Sequence, residues 1–237
     1  MAYKSEHIIP AIMPKSFEHL ESEMARFMGV VPLVQIDVMD GKFVPSRSWP
    51  YGKDLDGQFL KIVNQEIGFP LWEELDTEID LMVSNPAEAA DQWIATGAAR
   101  IIVHYESALP EIIAAVLTSV KEKGIETGLA VGLETPIEEI ELFYEKNQEK
   151  IDLIQCMGIA KIGYQGEAFD ERVLDRIAKL RASYPHLVIS VDGGVNEDTV
   201  EDLSDAGVSR FVAGSALGDD SNAEKTIEHF EQFLKIP

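Results

Sequence analysis

Val34-Gln35-Ile36-Asp37-Val38-Met39-Asp40-Gly41-Lys42-Phe43-Val44-Pro45-Ser46 is the stretch on which the fold turns. A short run rich in β-branched residues ends in two carboxylates and a glycine. That is the signature of a buried strand delivering Asp37 and Asp40 to its C-terminal end, where parallel α/β folds present ionisable groups to ligands.

The same rhythm continues through the chain. Apolar runs suited to strands fall near 7–13, 33–38, 77–82, 99–104, 126–131, 151–157, 187–191 and 209–213. Amphipathic segments suited to helices fall near 16–28, 55–67, 86–96, 109–123, 136–148, 170–183, 197–206 and 222–235. Ile112, Ile113, Val116, Leu117 and Val120 form one apolar stripe, and Ala223, Ile227, Phe230 and Leu234 another. Asn85-Pro86-Ala87-Glu88 and Thr135-Pro136-Ile137-Glu138 each read as a helix start, with a capping side chain, proline at the first helical position and glutamate at the third. Eight strand–helix units at about 30 residues each predict a (β/α)₈ TIM barrel. No Pro/Gly/Ser-rich linker divides the chain, so residues 1–237 are expected to form one domain. A doubly wound open sheet is the alternative, because alternation alone does not show closure. The rhythm breaks over 46–76, around Trp49, Pro50, Tyr51 and Gly52 and again at Leu71-Trp72-Glu73-Glu74. This segment is either an elaborated loop over the active face or a surface excursion.

Composition limits the partners. Of the 237 residues, 46% are hydrophobic, enough for a large core, and the net charge is −22. Nucleic acid and anionic membrane surfaces are repelled by such a chain, so neither is an expected partner. A phosphorylated ligand must be held by local donors against the overall field. Cys156 is the sole cysteine, which excludes an intrachain disulfide and a cysteine zinc site. Residues 1–10 lack the apolar run of a signal peptide, and no window approaches the ~18 apolar residues of a membrane span. A cytoplasmic location is the expectation, and a homo-oligomer is compatible with the sequence.

The expected strand ends gather a set of ionisable side chains: Asp37 and Asp40 from the second, Asp80 from the third, His104 and Glu106 from the fourth, Asp192 from the seventh. One aspartate at a strand end is commonly a cap or a loop anchor; five acids and a histidine at one mouth suggest a site. His104 is read as a substrate contact, although a core histidine fits the same pattern. Val191-Asp192-Gly193-Gly194-Val195 follows the seventh strand and Val212-Ala213-Gly214-Ser215-Ala216 the eighth. Glycines there let backbone N–H groups approach an anion, making Gly193, Gly194, Gly214 and Ser215 phosphate candidates. Gly163 and Gly166, in the loop Gly163-Tyr164-Gln165-Gly166-Glu167-Ala168-Phe169, are further candidates, with a tight turn as the alternative.

The opening stretch resembles the second-strand signature of the ribulose-phosphate 3-epimerase family, H-V-D-V-M-D-G-x-F-V-P-N. The family's E-V-D-G-G-V is similar to Ser190–Val195 here, its V-A-G-S-A matches 212–216, and its G-F-G-G-Q-x-F has a degraded counterpart at 163–169. H-L-M of the third strand is seen as Asp80-Leu81-Met82, and S-V-H-C-E of the fourth as Ile102-Val103-His104-Tyr105-Glu106. The likeness runs from about residue 7 to about 220. It implies a barrel of the ribulose-phosphate-binding type and isomerase chemistry of the pentose phosphate kind, in which Asp37 and Asp192 move a proton at C3 of a ketose phosphate. It also implies a divalent metal that stabilises the enediolate.

Two departures concern that metal. The family's ligating histidines are replaced by Gln35 and Asp80, leaving Gln35, Asp37, Asp80 and Asp192 as the candidate set. Oxygen ligands suit magnesium or manganese rather than zinc or iron, so the expectation is a hard cation or a metal-free site. The serine of the family's P-S-I-L is also absent from Pro10-Ala11-Ile12-Met13. The leading reading is a sugar-phosphate epimerase. The alternatives are other metal-assisted sugar-phosphate chemistry, of decarboxylase or aldolase type, and a non-catalytic phosphosugar-binding protein.

Overall fold

The computed structural model describes residues 3–52, 54, 57–218 and 223–235. Eight parallel strands close into a barrel: β1 (Ile8–Ile12), β2 (Leu33–Met39), β3 (Asp76–Met82), β4 (Arg100–His104), β5 (Glu126–Val131), β6 (Leu153–Met157), β7 (Val188–Asp192) and β8 (Arg210–Ala213). Each pairs with its neighbour in chain order, and β8 returns to β1 through Ile8–Phe211, Ile9–Val212 and Pro10–Ala213. The open sheet is thereby excluded. The helices are α1 (Phe17–Phe27), α2 (Gln58–Val63), α3 (Pro86–Ile94), α4 (Pro110–Glu122), α5 (Ile137–Asn147), α6 (Arg172–Ser183), α7 (Val200–Ala206) and α8 (Ala223–Glu231). Among the described residues no helix is long and apolar enough to cross a membrane.

Strand alternation divides the buried residues into two sets. Val34, Ile36 and Val38 of β2 and Ile79 and Leu81 of β3 join the main apolar cluster between barrel and helices. Their neighbours Gln35, Asp37, Glu78 and Asp80 are just as buried but face the lumen. The β2–β3 ladder runs in unbroken register from Leu33–Asp76 to Met39–Met82, which sets Gln35 beside Glu78 and Asp37 beside Asp80.

Several local expectations need correction. Pro86 does open α3, but the Asn85 side chain donates to Glu88 Oε2 (2.8 Å) rather than capping the helix. The Thr135 hydroxyl bonds Glu106, and α5 starts at Ile137 with Pro136 as its cap residue. A nearby carboxylate outcompetes the helix backbone for the hydroxyl. Ile112, placed in the apolar stripe of α4, is exposed, while Ile113, Val116, Leu117 and Val120 are buried. The helix expected over 55–67 is shorter, with Gly57 (φ 61°) before it and Gln65 (φ 61°) after it in left-handed conformations; 55 and 56 lie outside the described residues, as does 222.

The 46–76 segment starts as a loop at the barrel mouth, and further along it Trp72 is exposed. Trp49 is fully buried, 5.7 Å from Phe17, 5.5 Å from Phe59 and 6.0 Å from Trp93 by ring centroids, so it pins the loop to the core between helices. Truncating such a residue costs ~3–5 kcal/mol. Ser46, Arg47 and Ser48, just before it, line a groove at the barrel mouth.

Candidate active site

At the C-terminal end of the barrel, Asp37, Asp80 and Asp192 each offer an oxygen, and these oxygens lie within 4.8 Å of one another. The register explains the encounter: Asp37 and Asp80 are paired across β2 and β3, and Asp192 ends β7. Two amides hold the acids. Gln35 Nε2 donates to Asp37 Oδ1 (2.9 Å) and Asp192 Oδ2 (2.8 Å). Gln155 Nε2, from β6, makes longer contacts to Asp192 Oδ2 (3.4 Å) and Asp80 Oδ2 (3.5 Å), and the Ser190 hydroxyl donates to Gln155 Oε1 (3.3 Å).

Crowded, desolvated carboxylates resist ionising together. Burial, then the charges of Asp192 and Asp80, push the Asp37 carboxyl well above its ordinary range. Burial and then Asp80 raise Asp192 to about 7, against the opposing pull of the Gln35 hydrogen bond and His104. The mouth therefore holds two acids that take up a proton far more readily than surface carboxylates.

His104 does not reach the cavity. Its ring is completely buried, with Nε2 3.1 Å from Asp80 Oδ1 and the Phe43 ring 5.4 Å away. Burial disfavours its charged form, yet Asp80 prevails and raises its pKa. Asp40 and Glu106 also leave the mouth set. Asp40 accepts from the Lys42, Phe43 and Ser84 backbone N–H groups and from the Ser84 hydroxyl; Glu106 accepts from Gly132 N–H and Thr135. Both are loop anchors. Of the five acids expected together, three converge.

Gly163, Gly166, Gly193, Gly194, Gly214 and Ser215 line the same cavity as Asp37 and Asp192, with Met82 and Met157 on its apolar wall. Gly193 and Gly194 have φ of 92° and 74°, and an added Cβ at Gly194 comes within 2.7 Å of Phe169. Among the described residues, the backbone N–H groups of Gly193, Gly194 and Gly214 donate to no protein acceptor. They form an unpaired set of half-buried donors lining the same cavity as the acids, as an anion requires.

The donor set fits one class of metal and not another. Three carboxylates within 4.8 Å suit a hard divalent cation. Among the described residues no imidazole joins the group, and the one beside it, His104, contacts Asp80 through Nε2 (3.1 Å). Gln35 meets the acids through its amide nitrogen, which cannot ligate, while its oxygen is buried without a partner among the described residues. The three aspartates thus fit magnesium or manganese, and a zinc or iron site of imidazole type does not fit.

Sequence reading missed Gln155 and Ser190. The signal was present: Gln155 is the polar member of the apolar strand Leu-Ile-Gln-Cys-Met, in lumen phase with Leu153 and Met157.

The profile of the ribulose-phosphate 3-epimerase family matches residues 7–217. A ribulose-phosphate 3-epimerase of Schizosaccharomyces pombe is 30% identical over 93% of this chain and 90% of its own length. The cytoplasmic isoform from Oryza sativa is 27% identical over 89% and 86%. Among solved structures, 3-keto-L-gulonate-6-phosphate decarboxylase is represented by one from Vibrio cholerae, at TM-score 0.64 and 16% identity over 96% of each chain. 3-Hexulose-6-phosphate synthase from Salmonella typhimurium superposes at TM-score 0.66 and 15% identity, covering 96% of this chain and 98% of that one. At such identities the structures speak for the barrel alone. The family profile spans nearly the whole barrel and takes in the three aspartates and both glycine loops, and on that match this chain belongs to the ribulose-phosphate 3-epimerase family.

Proposed function

We propose that the protein epimerises a ketose phosphate by exchanging the proton at C3 between Asp37 and Asp192. The observation that carries this reading is the Gln35 amide bonded to both acids at 2.9 and 2.8 Å, with their oxygens close enough for one carbon between them to lie within reach of both. Epimerisation without a redox cofactor needs two such groups, one ionised to take the proton from one face of C3 and one protonated to deliver its own proton to the other face. Mutual repulsion favours this half-protonated state, and a pKa of about 7 for Asp192 suits exchange near neutral pH. Gln35 steadies whichever acid is charged. His104 acts through Asp80 as a positioning residue. Met82 and Met157 keep water from the reacting carbon.

The phosphoryl group sits on the free N–H groups of Gly193, Gly194 and Gly214, with Ser215 and the 163–166 loop beside it. These donors offset locally the net charge of −22. A divalent cation held by Asp37, Asp80 and Asp192 would supply electrophilic polarisation of the ketone oxygen.

The test is deuterium uptake from solvent at C3 of ribulose 5-phosphate, on protein of measured metal content. Wild type should exchange and epimerise, without tightly bound zinc or iron. Asp37→Asn and Asp192→Asn should each lower exchange ~10²–10⁴-fold. Full exchange in Asp192→Asn sinks the two-aspartate mechanism. Zinc bound tightly through Asp37 and Asp80 sinks the account of the metal.

A further inference from the structure

A second cavity, of about 530 Å³, opens beside the first and shares Ala11, Met13, Gln165, Gly214 and Ser215 with it. Its outer wall is made by the loops after β1 and β2, which are stitched together where Trp49 N–H donates to the Pro14 carbonyl (2.7 Å). The stitch places Lys15 and Arg47 on one groove. Arg26 also lines it but is committed, bonded to Glu23 and to the carbonyls of Leu217 and Gly218. Lys15 and Arg47 form no ion pair among the described residues. In a chain with 42 acidic and 20 basic side chains, two cations that among the described residues have no carboxylate partner, on a groove whose one described acid, Glu23, already pairs with Arg26, call for an external anion.

The Arg47 side chain is also placed. It lies across Gly41, where a Cβ would come within 2.4 Å of Nε, and the adjoining backbone bridges Asp40. Ser48 fixes the same loop, donating to the Asp37 carbonyl (2.7 Å) and accepting from Met39 N–H (2.9 Å). The hydrogen bonds that hold the catalytic strand end therefore also hold Arg47.

We propose that this groove is a second anion subsite, so that the ligand is a ketose or sugar-acid phosphate carrying two anionic groups. One group occupies the glycine donors, and the other, a phosphoryl or a carboxylate, meets Lys15 and Arg47. This rests on the reading of the mouth as a phosphosugar site. A guanidinium and an ammonium lining one groove match a compact dianion, whereas an extended polyanion meets the repulsion of a chain of net charge −22.

Calorimetric titration tests it, with ribulose 5-phosphate, ribulose 1,5-bisphosphate and 6-phosphogluconate against wild type, Lys15→Ala, Arg47→Ala and the double variant. Lys15 and Arg47 are both exposed, so the variants should keep the wild-type melting temperature. Wild type should bind at least one of the two doubly anionic ligands about tenfold or more tighter than ribulose 5-phosphate. The bisphosphate winning identifies a phosphoryl subsite, and the sugar acid winning a carboxylate one. The double variant should lose that advantage while keeping its affinity for ribulose 5-phosphate. Equal affinities in wild type overturn the subsite and leave the phosphosugar reading standing. Equal weakening of all three ligands in the double variant also overturns it, since the cations then serve the single phosphate. Binding of none of the three overturns both readings.

Discussion

Glu78 and Asp80 stand two residues apart on β3, both completely buried in the lumen, yet their surroundings differ in kind. Toward the N-terminal end of the barrel, Glu78 Oε2 accepts from two guanidiniums, Arg100 of β4 and Arg210 of β8, and Arg100 also reaches Glu126. Toward the C-terminal end, Asp80 has one imidazole and a long contact to an amide, and it faces two further aspartates. One layer neutralises its buried carboxylate; the other leaves three together. Base layers of such barrels serve stability and mouth layers serve chemistry, and here the division falls within a single strand. The unbalanced layer is the one to which the proposed proton transfer is assigned.

The largest effect should come from breaking the balanced layer. Glu78→Gln leaves two buried guanidiniums without their shared carboxylate and should cost ~3–5 kcal/mol in denaturant unfolding. A loss below ~1 kcal/mol would show that the base layer is not the structural one.

A smaller loss is expected at the mouth's edge, where Asp40 ties the β2 and β3 loops. Burial raises its pKa, but the N–H groups of Ser84, Lys42 and Phe43 and the Ser84 hydroxyl outweigh that and lower it. Because the folded pKa is depressed, its contribution is present above the unfolded value of about 3.9 and fades as pH falls through the folded one. Asp40→Asn should cost about 1–2 kcal/mol at pH 7 and much less at pH 2. A pH-independent difference would mean that the carboxylate charge is irrelevant there.

The smallest effect has the opposite sign. Asp192 is raised to about 7, so the folded protein without a cation holds its proton more tightly than the unfolded chain does. Stability should then fall as pH rises from about 4 to about 7. Asp192→Asn removes its part of that slope, leaving that of Asp37, and should raise the melting temperature at pH 7 by roughly 3 °C, as ~1 kcal/mol does in a chain of this size, with no gain at pH 4. A destabilised Asp192→Asn at pH 7 would mean that the mouth carries no electrostatic cost, and the contrast between the layers would fail.

Most of the barrel was legible because its causes are local. Val34, Ile36 and Val38 alternate with Gln35 and Asp37 within one strand, and that period alone gives one face to the helices and the other to the lumen. Gly193, Gly194 and Gly214 announced the loops that line the cavity, where an added Cβ would crowd Ile159, Phe169 and Gln165. Strand-end position was a weaker guide. Asp40 and Glu106 satisfy it as fully as Asp37 and Asp192, but nearby backbone N–H groups and hydroxyls captured them.

The sequence by itself determined the order of strands and helices, the three acids offered to the mouth, the absence of the two histidines, and the glycine loops. Tertiary structure decided which groups meet. Closing β8 onto β1 and setting the β2–β3 register brought Gln35 between Asp37 and Asp192, put His104 against Asp80, and added Gln155 from β6. The stitch between the first two loops did the same for Lys15 and Arg47. The physical reason is that a strand's period fixes which way a side chain points, whereas its partner is set by strand neighbours far away in sequence and by competition among nearby donors. Both exist only once the barrel has closed.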